Sequence, residues 1–298
     1  MDLTEGMRVF VRVAETGSFS AVARERGVSQ PTISKQIAEL ERRAGVQLML
    51  RNTRGLNLTD SGARYYERCR SILADIDDAL SSAAQSQSTL TGTLRINVPM
   101  AFGKLYLVSQ VLDFMQRYPS LRVDLIMNDR FIDIVEEGVD LAIRIGKVTE
   151  PQVIAKPLGS SPRVVVGTPG YFATHGEPRR PEDLVSHNCV VYSYLSTGDE
   201  WELRGPKGDQ SIRVRGSFRA NNAEALRAAA LAGLGVALLP VWLIREDIEL
   251  GRLRTVLRGY LPPGPEICAV YPASKRVPPK VRYFIEHLQQ RLTLEPLP

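Results

Sequence analysis

The sequence predicts an α/β protein in three parts: an all-α head with a small β wing, a long connecting helix, and a two-lobed α/β body. Three observations predict it. Residues 18 to 43 read as two short helices around a tight turn, an unbroken apolar stripe runs from Tyr66 to Ala83, and beyond residue 90 apolar strands alternate with amphipathic helices. The expected parts are a head over 1–59, a linker helix over 60–89 and a body over 90–298.

In the head, Met7, Phe10, Val11 and Ala14 make the apolar stripe of a first helix, so residues 4 to 44 can close a three-helix core. Ser18 and Ser29 follow as N-caps, because a short hydroxyl satisfies free backbone N–H groups of a first helical turn. Gly27 ends the helix between them, and Ala23 and Ile33 let the two helices cross closely. On the next helix Ile33, Ile37 and Leu40 form the buried stripe, which turns Pro31, Thr32, Ser34, Lys35 and Ala38 outward. That face, opened by Ser29 and the amide of Gln30, can lie in a major groove and hydrogen-bond base edges and phosphates. The competing reading is an ordinary helical hairpin with a solvated polar side.

Residues 46 to 59 read as two extended segments around a polar turn, a wing with Arg51 and Arg54 at its tip. A flexible cation there can enter a minor groove or hold a phosphate; otherwise both are solvated loop charges.

The chain is similar here to the LysR-type family of bacterial transcriptional regulators, and the similarity runs over essentially all 298 residues. The segments that carry it are Glu15-Thr16-Gly17-Ser18-Phe19-Ser20, Ser29-Gln30-Pro31-Thr32-Ile33-Ser34, the Leu40-Glu41 step, and Leu50-Arg51-Asn52-Thr53-Arg54 running into Leu58-Thr59-Asp60-Ser61-Gly62. The resemblance implies that Gln30, Pro31, Ser34 and Lys35 approach the major groove and that Arg54 reaches the minor groove. A lysine stands at Lys35 where the family often has arginine, which favours a phosphate contact over bidentate reading of guanine.

From residue 60 to about 88 one long helix is expected. Tyr66, Cys69, Leu73, Ile76, Leu80 and Ala83 follow an a/d spacing, and such a seam calls for a partner helix. The same helix of a second copy would set two heads side by side on a two-fold symmetric site; the alternative is packing on the chain's own core. Gln85 to Thr89 breaks the pattern and marks a boundary near residue 90.

The body reads as α/β layers over a mostly parallel sheet. Strands are expected at Leu94 to Val98, Leu121 to Met127 and Asp140 to Ile145, with helices over Lys104 to Arg117 and Phe131 to Glu137. A second run starts with the strand Arg163 to Thr168 and continues through a helix over Ala223 to Ala232 and the strand Val236 to Leu239. Ile267 to Tyr271 and the helix Pro279 to Leu292 return to the first lobe. The expected lobes are about 90–161 with 267–298, and about 162–266.

The family's effector domain has this shape, two lobes hinged like a periplasmic binding protein around a small molecule. Open α/β sheets bind ligands beyond the carboxyl ends of their strands, and here those ends fall at Pro99 to Gly103, Gly146-Lys147 and Asn221-Asn222. By resemblance Met100, Ala101, Phe102, Ile145, Gly146 and Asn222 line the cleft, with Arg163, Tyr194 and Pro240 as neighbours. Asn221 and Asn222 read equally well as helix caps. Family pockets often carry Ser or Thr where Met100, Ala101 or Phe102 stands, so a more apolar effector, or one held elsewhere, is expected.

Composition agrees with a chain that meets a polyanion: the net charge is +5 and the pI is near 9.2. The charge is not concentrated in the head, since residues 1 to 60 hold nine Lys and Arg against seven Asp and Glu. Cys69, Cys189 and Cys268 have no Cys-x-x-Cys spacing, which disfavours a disulfide framework or a zinc site; a redox pair of Cys189 and Cys268 is a minor alternative. No N-terminal apolar segment reads as a signal peptide, so a cytoplasmic location is expected. The uncharged stretch 228 to 244 is interrupted by Gly233, Gly235 and Pro240 and falls short of the roughly 20 residues of a membrane span.

No nucleophile elbow, phosphate-binding loop or His-Glu-x-x-His occurs, and His175, His187 and His287 lie in dissimilar contexts. No catalytic residue, metal or cofactor is assigned. The resemblance implies a regulator that binds double-stranded promoter DNA as a homodimer or homotetramer, answers to a small-molecule effector and meets RNA polymerase. A solute-binding protein is disfavoured by the first 90 residues, and an enzyme with a DNA-binding arm by the missing catalytic constellation.

Overall fold

The computed structural model describes residues 2–52, 55–83, 90–195, 197–206, 208–262, 264–273 and 277–292. The head begins with α1 (Leu3–Thr16), α2 (Phe19–Arg26) and α3 (Gln30–Ala44). The Ser18 hydroxyl accepts from the Ala21 N–H at 3.2 Å, and Ser29 accepts from the Thr32 N–H at 3.3 Å. Between them Gly27 sits at φ +65°, a left-handed conformation in which a β-carbon would be strained. Cap, glycine and cap thus fix the turn.

Val9, Phe10, Val13, Val22, Ile33, Ile37 and Leu40 close the head core. On α1 the fully buried arc is Val9, Phe10 and Val13, while the expected Met7, Val11 and Ala14 flank it partly exposed. The arc is broader than one stripe because α2, α3 and the long helix that starts at Asp60 all pack on α1.

The wing pairs β1 (Met49–Asn52) with β2 (Gly55–Leu58) antiparallel. Glu41 pins it to α3, its Oε1 accepting from the N–H groups of Leu48 and Met49 at 2.8 and 3.1 Å. Thr59 donates to the Gln47 carbonyl and accepts from the Gly62 N–H, both at 2.8 Å, which caps α4 (Asp60–Ala83). The end expected near residue 88 lies outside the described residues.

The body holds two five-stranded sheets. In the first, β3 (Gly92–Val98), β4 (Leu121–Met127), β5 (Leu141–Ile145) and β6 (Val153–Ser160) combine with the late strand β14 (Glu266–Pro272), in the order β4-β3-β5-β14-β6. The chain then crosses to the second lobe with β7 (Arg163–Gly167) and β8 (Cys189–Tyr192), adds the hairpin β9 (Glu200–Gly205) and β10 (Gly208–Arg213), and continues with β11 (Phe218–Ala220), β12 (Val236–Pro240) and β13 (Arg254–Val256). That sheet has the order β11-β8-β12-β7-β13, and β14 (Glu266–Pro272) returns to the first lobe.

Both sheets are mixed rather than mostly parallel. The reversed strands are β7, antiparallel to β12 and β13, and β14, antiparallel to β5 and β6. Each is the first strand laid down after a crossing between lobes. It therefore enters at the edge where its neighbours end: Arg163 pairs with Pro240, and Ile267 with Ile145.

Two helical expectations shift. The helix expected from Lys104 begins at Met100 and runs to Arg117 through a π-helical turn at Gly103–Leu107. Phe131 to Glu137 is not a helix but a chain of turns, in which the Asp133 carboxylate takes the N–H groups of Val135 and Glu136. The 228–244 stretch resolves into a helix end, β12 and the start of another helix, and among the described residues no helix is long and apolar enough to cross a membrane.

A charge network joins α4 to the first lobe. Arg95, nearly buried on β3, pairs with Glu67 of α4 and with Asp124 at 3.2 Å, while Arg70 of α4 reaches the same Asp124 at 3.0 Å. Buried Lys280 donates to the Thr93 carbonyl at 2.8 Å and pairs with Asp140 at 3.3 Å.

Candidate nucleic-acid interface and ligand cleft

On α3 the residues Gln30, Pro31, Thr32 and Lys35 are exposed and Ser34 is half-buried. Ser29 and Thr32 share a 2.8 Å hydroxyl contact at the cap, so their first task is to hold the helix start. Ion pairing leaves two exposed cations of the head, Arg24 on α2 and Lys35 on α3, without a carboxylate partner among the described residues, and Lys35 is the one on α3. Arg12, Arg26, Arg42 and Arg43 each pair with a carboxylate, and the bonds from Arg42 and then Arg43 hold Glu39 down at about 2. Among the described residues Lys35 has no carboxylate partner. The side chain of Arg51 and the whole of Arg54 lie outside the described residues.

The expected seam of α4 divides. Cys69 is fully buried in the head core with Tyr66 packed beside it, so this end of the stripe covers its own chain rather than a second copy. Leu73 is also buried within the chain, and Ile76 is partly exposed. The side chains of Leu80 and Ala83 lie outside the description. An a/d spacing states that a face is covered but not by which chain, and α1 supplies the cover here.

The thiols are unsuited to redox pairing. Cys189 lies in a second-lobe core and Cys268 in a first-lobe core. Burial pushes Cys189 up to about 12 and Cys69 up to about 11, and raises Cys268 too, so the reactive thiolate is scarce near neutrality. The histidines pack: His175 stacks on Tyr171, His187 contacts the Tyr171 hydroxyl, and His287 lies against the Gln110 carbonyl.

Between the lobes, at the carboxyl ends of β3, β5 and β12, lies a cavity of about 230 Å³. The structure brings Ala101, Phe102, Ile145, Gly146, Arg163, Tyr194 and Pro240 onto its wall. Met100 and Asn222 are not on that wall. Met100 is 41% exposed, and its backbone N–H donates to Asp129 Oδ1 at 3.0 Å. Asn222 caps its helix through the Ala225 N–H and donates to Asp129 Oδ2 at 2.7 Å, so one carboxylate ties two helix starts across the lobes. Asn221 instead donates to the Tyr194 hydroxyl.

Sequence reasoning missed Asp129, Arg144 and Trp242, all on the wall. The strand-end rule could have found Asp129, since β4 ends two residues before it. One face is a cluster of rings: Phe102 stacks on Tyr106 and meets the edge of Trp242, with centroids 5.4 Å apart in both pairs. Trp242 spans the lobes, donating its indole N–H to Ser161 at 2.8 Å and accepting at its carbonyl from the Tyr106 hydroxyl at 3.3 Å. Opposite, Arg144 lies over Phe131 at 4.6 Å and donates to the Ile132 carbonyl at 2.6 Å. Burial lowers the proton affinity of both Arg144 and Arg163.

Comparison with known proteins matches this division of labour. A family profile described as a bacterial regulatory helix-turn-helix protein, lysR family, matches residues 4–63, and one described as a LysR substrate binding domain matches residues 87–293. The chain is 36% identical over 287 residues to the regulator PtxR of Pseudomonas aeruginosa, covering 96% of this chain and 92% of that protein. It is 35% identical over 294 residues to the regulator DmlR of Escherichia coli, covering 97% and 94%. Among solved structures it is similar to CrgA, a LysR-type transcriptional regulator of Neisseria meningitidis, with a TM-score of 0.62, 30% identity and coverage of 97% of this chain and 98% of that one. The full-length virulence activator AphB of Vibrio cholerae is also similar, with a TM-score of 0.61, 28% identity and coverage of 97% and 98%.

Proposed function

The chain belongs to the LysR family of bacterial transcriptional regulators, and from that premise we infer how its own residues divide the work of reading DNA and sensing a ligand. It is a DNA-binding regulator, not an enzyme, with an effector-binding domain after the head. In our reading residues 1–59 form the head, 60–89 the linker and 90–298 the sensor.

The head lays α3 in a major groove, with Gln30, Pro31, Ser34 and Lys35 toward the DNA, Ser29 and Thr32 holding the helix start, and Arg51 and Arg54 supplied by the wing. The observation that carries this is Lys35: an exposed cation without a carboxylate partner among the described residues, on a helix whose other face closes the head core. Lys35→Ala should weaken DNA binding and lower the slope of log affinity against log salt by about one unit, the loss of one phosphate contact. Titrations at several salt concentrations that returned the parental slope would remove Lys35 from the interface.

A second copy is brought in through the distal half of α4, with Ile76, Leu80 and Ala83 as its contacts and Leu73 at the edge of the chain's own packing. Two-fold pairing presents two heads to half-sites about 34 Å apart, one turn of DNA. Ile76→Asp should dissociate the assembly in sedimentation velocity; an unchanged sedimentation coefficient would refute pairing through this face.

The effector enters the interlobe cleft and shifts the lobe geometry only by its unequal affinity for the two arrangements. A regulator of this kind acts on the chromosome in the cytoplasm and has RNA polymerase as its neighbour at the promoter.

A further inference from the structure

Resting on the reading of the interlobe cleft as the effector site, we propose that this cleft selects a small planar organic anion, a carboxylate carried on a flat apolar body. Residues 100 to 102 by themselves point to a more apolar effector or one held elsewhere, and Ala101 and Phe102 do present an apolar wall. The charges arrive from elsewhere in the chain.

Among the described residues that line the cavity, four are cationic, Arg130, Arg144, Lys147 and Arg163, and one is a carboxylate, Asp129. Asp129 is already occupied: its two oxygens accept from the Met100 N–H and from Asn222. An excess of positive charge therefore faces a cavity from which bulk water is partly excluded, where an unbalanced charge is costly and a counter-charge is strongly favoured. Arg144 points the same way. It is 5% exposed, its carboxylate contact among the described residues is a long one to Glu150 at 3.9 Å through Nη2, and its buried Nε has no hydrogen-bond partner among them. Burial lowers the proton affinity of Arg144 and Arg163, and nearby carboxylates, Glu150 and Asp133 for Arg144 and Glu202 for Arg163, oppose that shift only in part.

Asp129 also orients the ligand. The helix start at Met100 and the amide of Asn222 would otherwise hold an anion, and the chain's own carboxylate has taken both. The incoming charge is directed to the arginines and Lys147, which leaves the apolar body against Phe102 and Trp242. Those rings meet edge to face, and the cavity of about 230 Å³ lies below the roughly 300 Å³ at which drug-sized pockets begin. The space favours a flat body of about one ring.

The chain has two tryptophans, Trp201 and Trp242, and both line this cavity, so intrinsic fluorescence reports on it directly. Benzoate, benzamide and benzylamine share one body and differ in charge. Titrated into the full-length protein with tryptophan fluorescence and calorimetry in parallel, benzoate should bind at least tenfold more tightly than benzamide, with benzylamine weakest. Arg163→Met should reduce benzoate affinity about tenfold and leave benzamide unchanged. Lys147→Met, a substitution at an exposed rim residue that spares the fold, should cost benzoate severalfold. Equal affinities, the reverse order, or no binding by any of the three would overturn the assignment of ligand class. Benzoate heat without a tryptophan response would instead overturn the placement of the site in the cleft.

Discussion

Phe10→Ala should abolish DNA binding while leaving the ligand cleft intact. Phe10 is fully buried in the head core and meets the ring of Tyr65 at 5.5 Å, so its loss opens a cavity on both α1 and α4. Truncating a buried phenylalanine costs about 3–5 kcal/mol, and a head of this size has only some 3–9 kcal/mol to lose at about 0.05–0.15 kcal/mol per residue. The substitution therefore removes most of the head's stability. Both tryptophans lie in the body, so a mobility shift should lose the DNA complex while the fluorescence melt of the body keeps its midpoint. A body transition lowered in step would show that head and body unfold as one cooperative unit.

Gly146→Phe should produce the converse: DNA binding near the parental level and a ligand response reduced by about a hundredfold or more. Gly146 directly follows β5 at the cleft, and a β-carbon built on it meets nothing within 4 Å, so a ring there projects into open space without displacing the sheet. Its φ of +130° is a backbone region that other residues enter only at a cost of order 1–3 kcal/mol. Gly146→Ala carries that strain without the ring and separates the two effects. With benzoate as probe, Phe should silence the tryptophan response and Ala should largely retain it. A full response in the Phe variant would move the site away from β5.

How much of this was legible in the sequence depended on how local the cause was. The head was readable because Ser18, Ser29 and Gly27 act on their own helices through bonds three or four residues long. Sheet direction was not, because β7 and β14 read as ordinary apolar strands and their reversal comes from the side of the cleft on which the chain re-enters. Phe131, Ile134 and Val135 have helical spacing, yet the Asp133 carboxylate satisfies the local N–H groups in competing turns.

The cleft shows the same limit. Ala101, Phe102 and Gly146 could be placed there from strand ends, whereas Asp129 acquires its role from Met100 and from Asn222, 93 residues further along the chain. On α4 the a/d pattern marked an apolar face correctly, but Cys69 found its cover in α1 and its surroundings within one chain.

The central claim, that α3 reads sequence in a duplex groove, is tested most directly by competition between the DNA upstream of the gene and random duplex of equal length, at about 0.15 M salt. Specific recognition of this kind typically exceeds non-specific binding by about 10³-fold or more. A preference of that order, lost in Lys35→Ala combined with Gln30→Ala, is the expected result; equal affinity for both duplexes would contradict it.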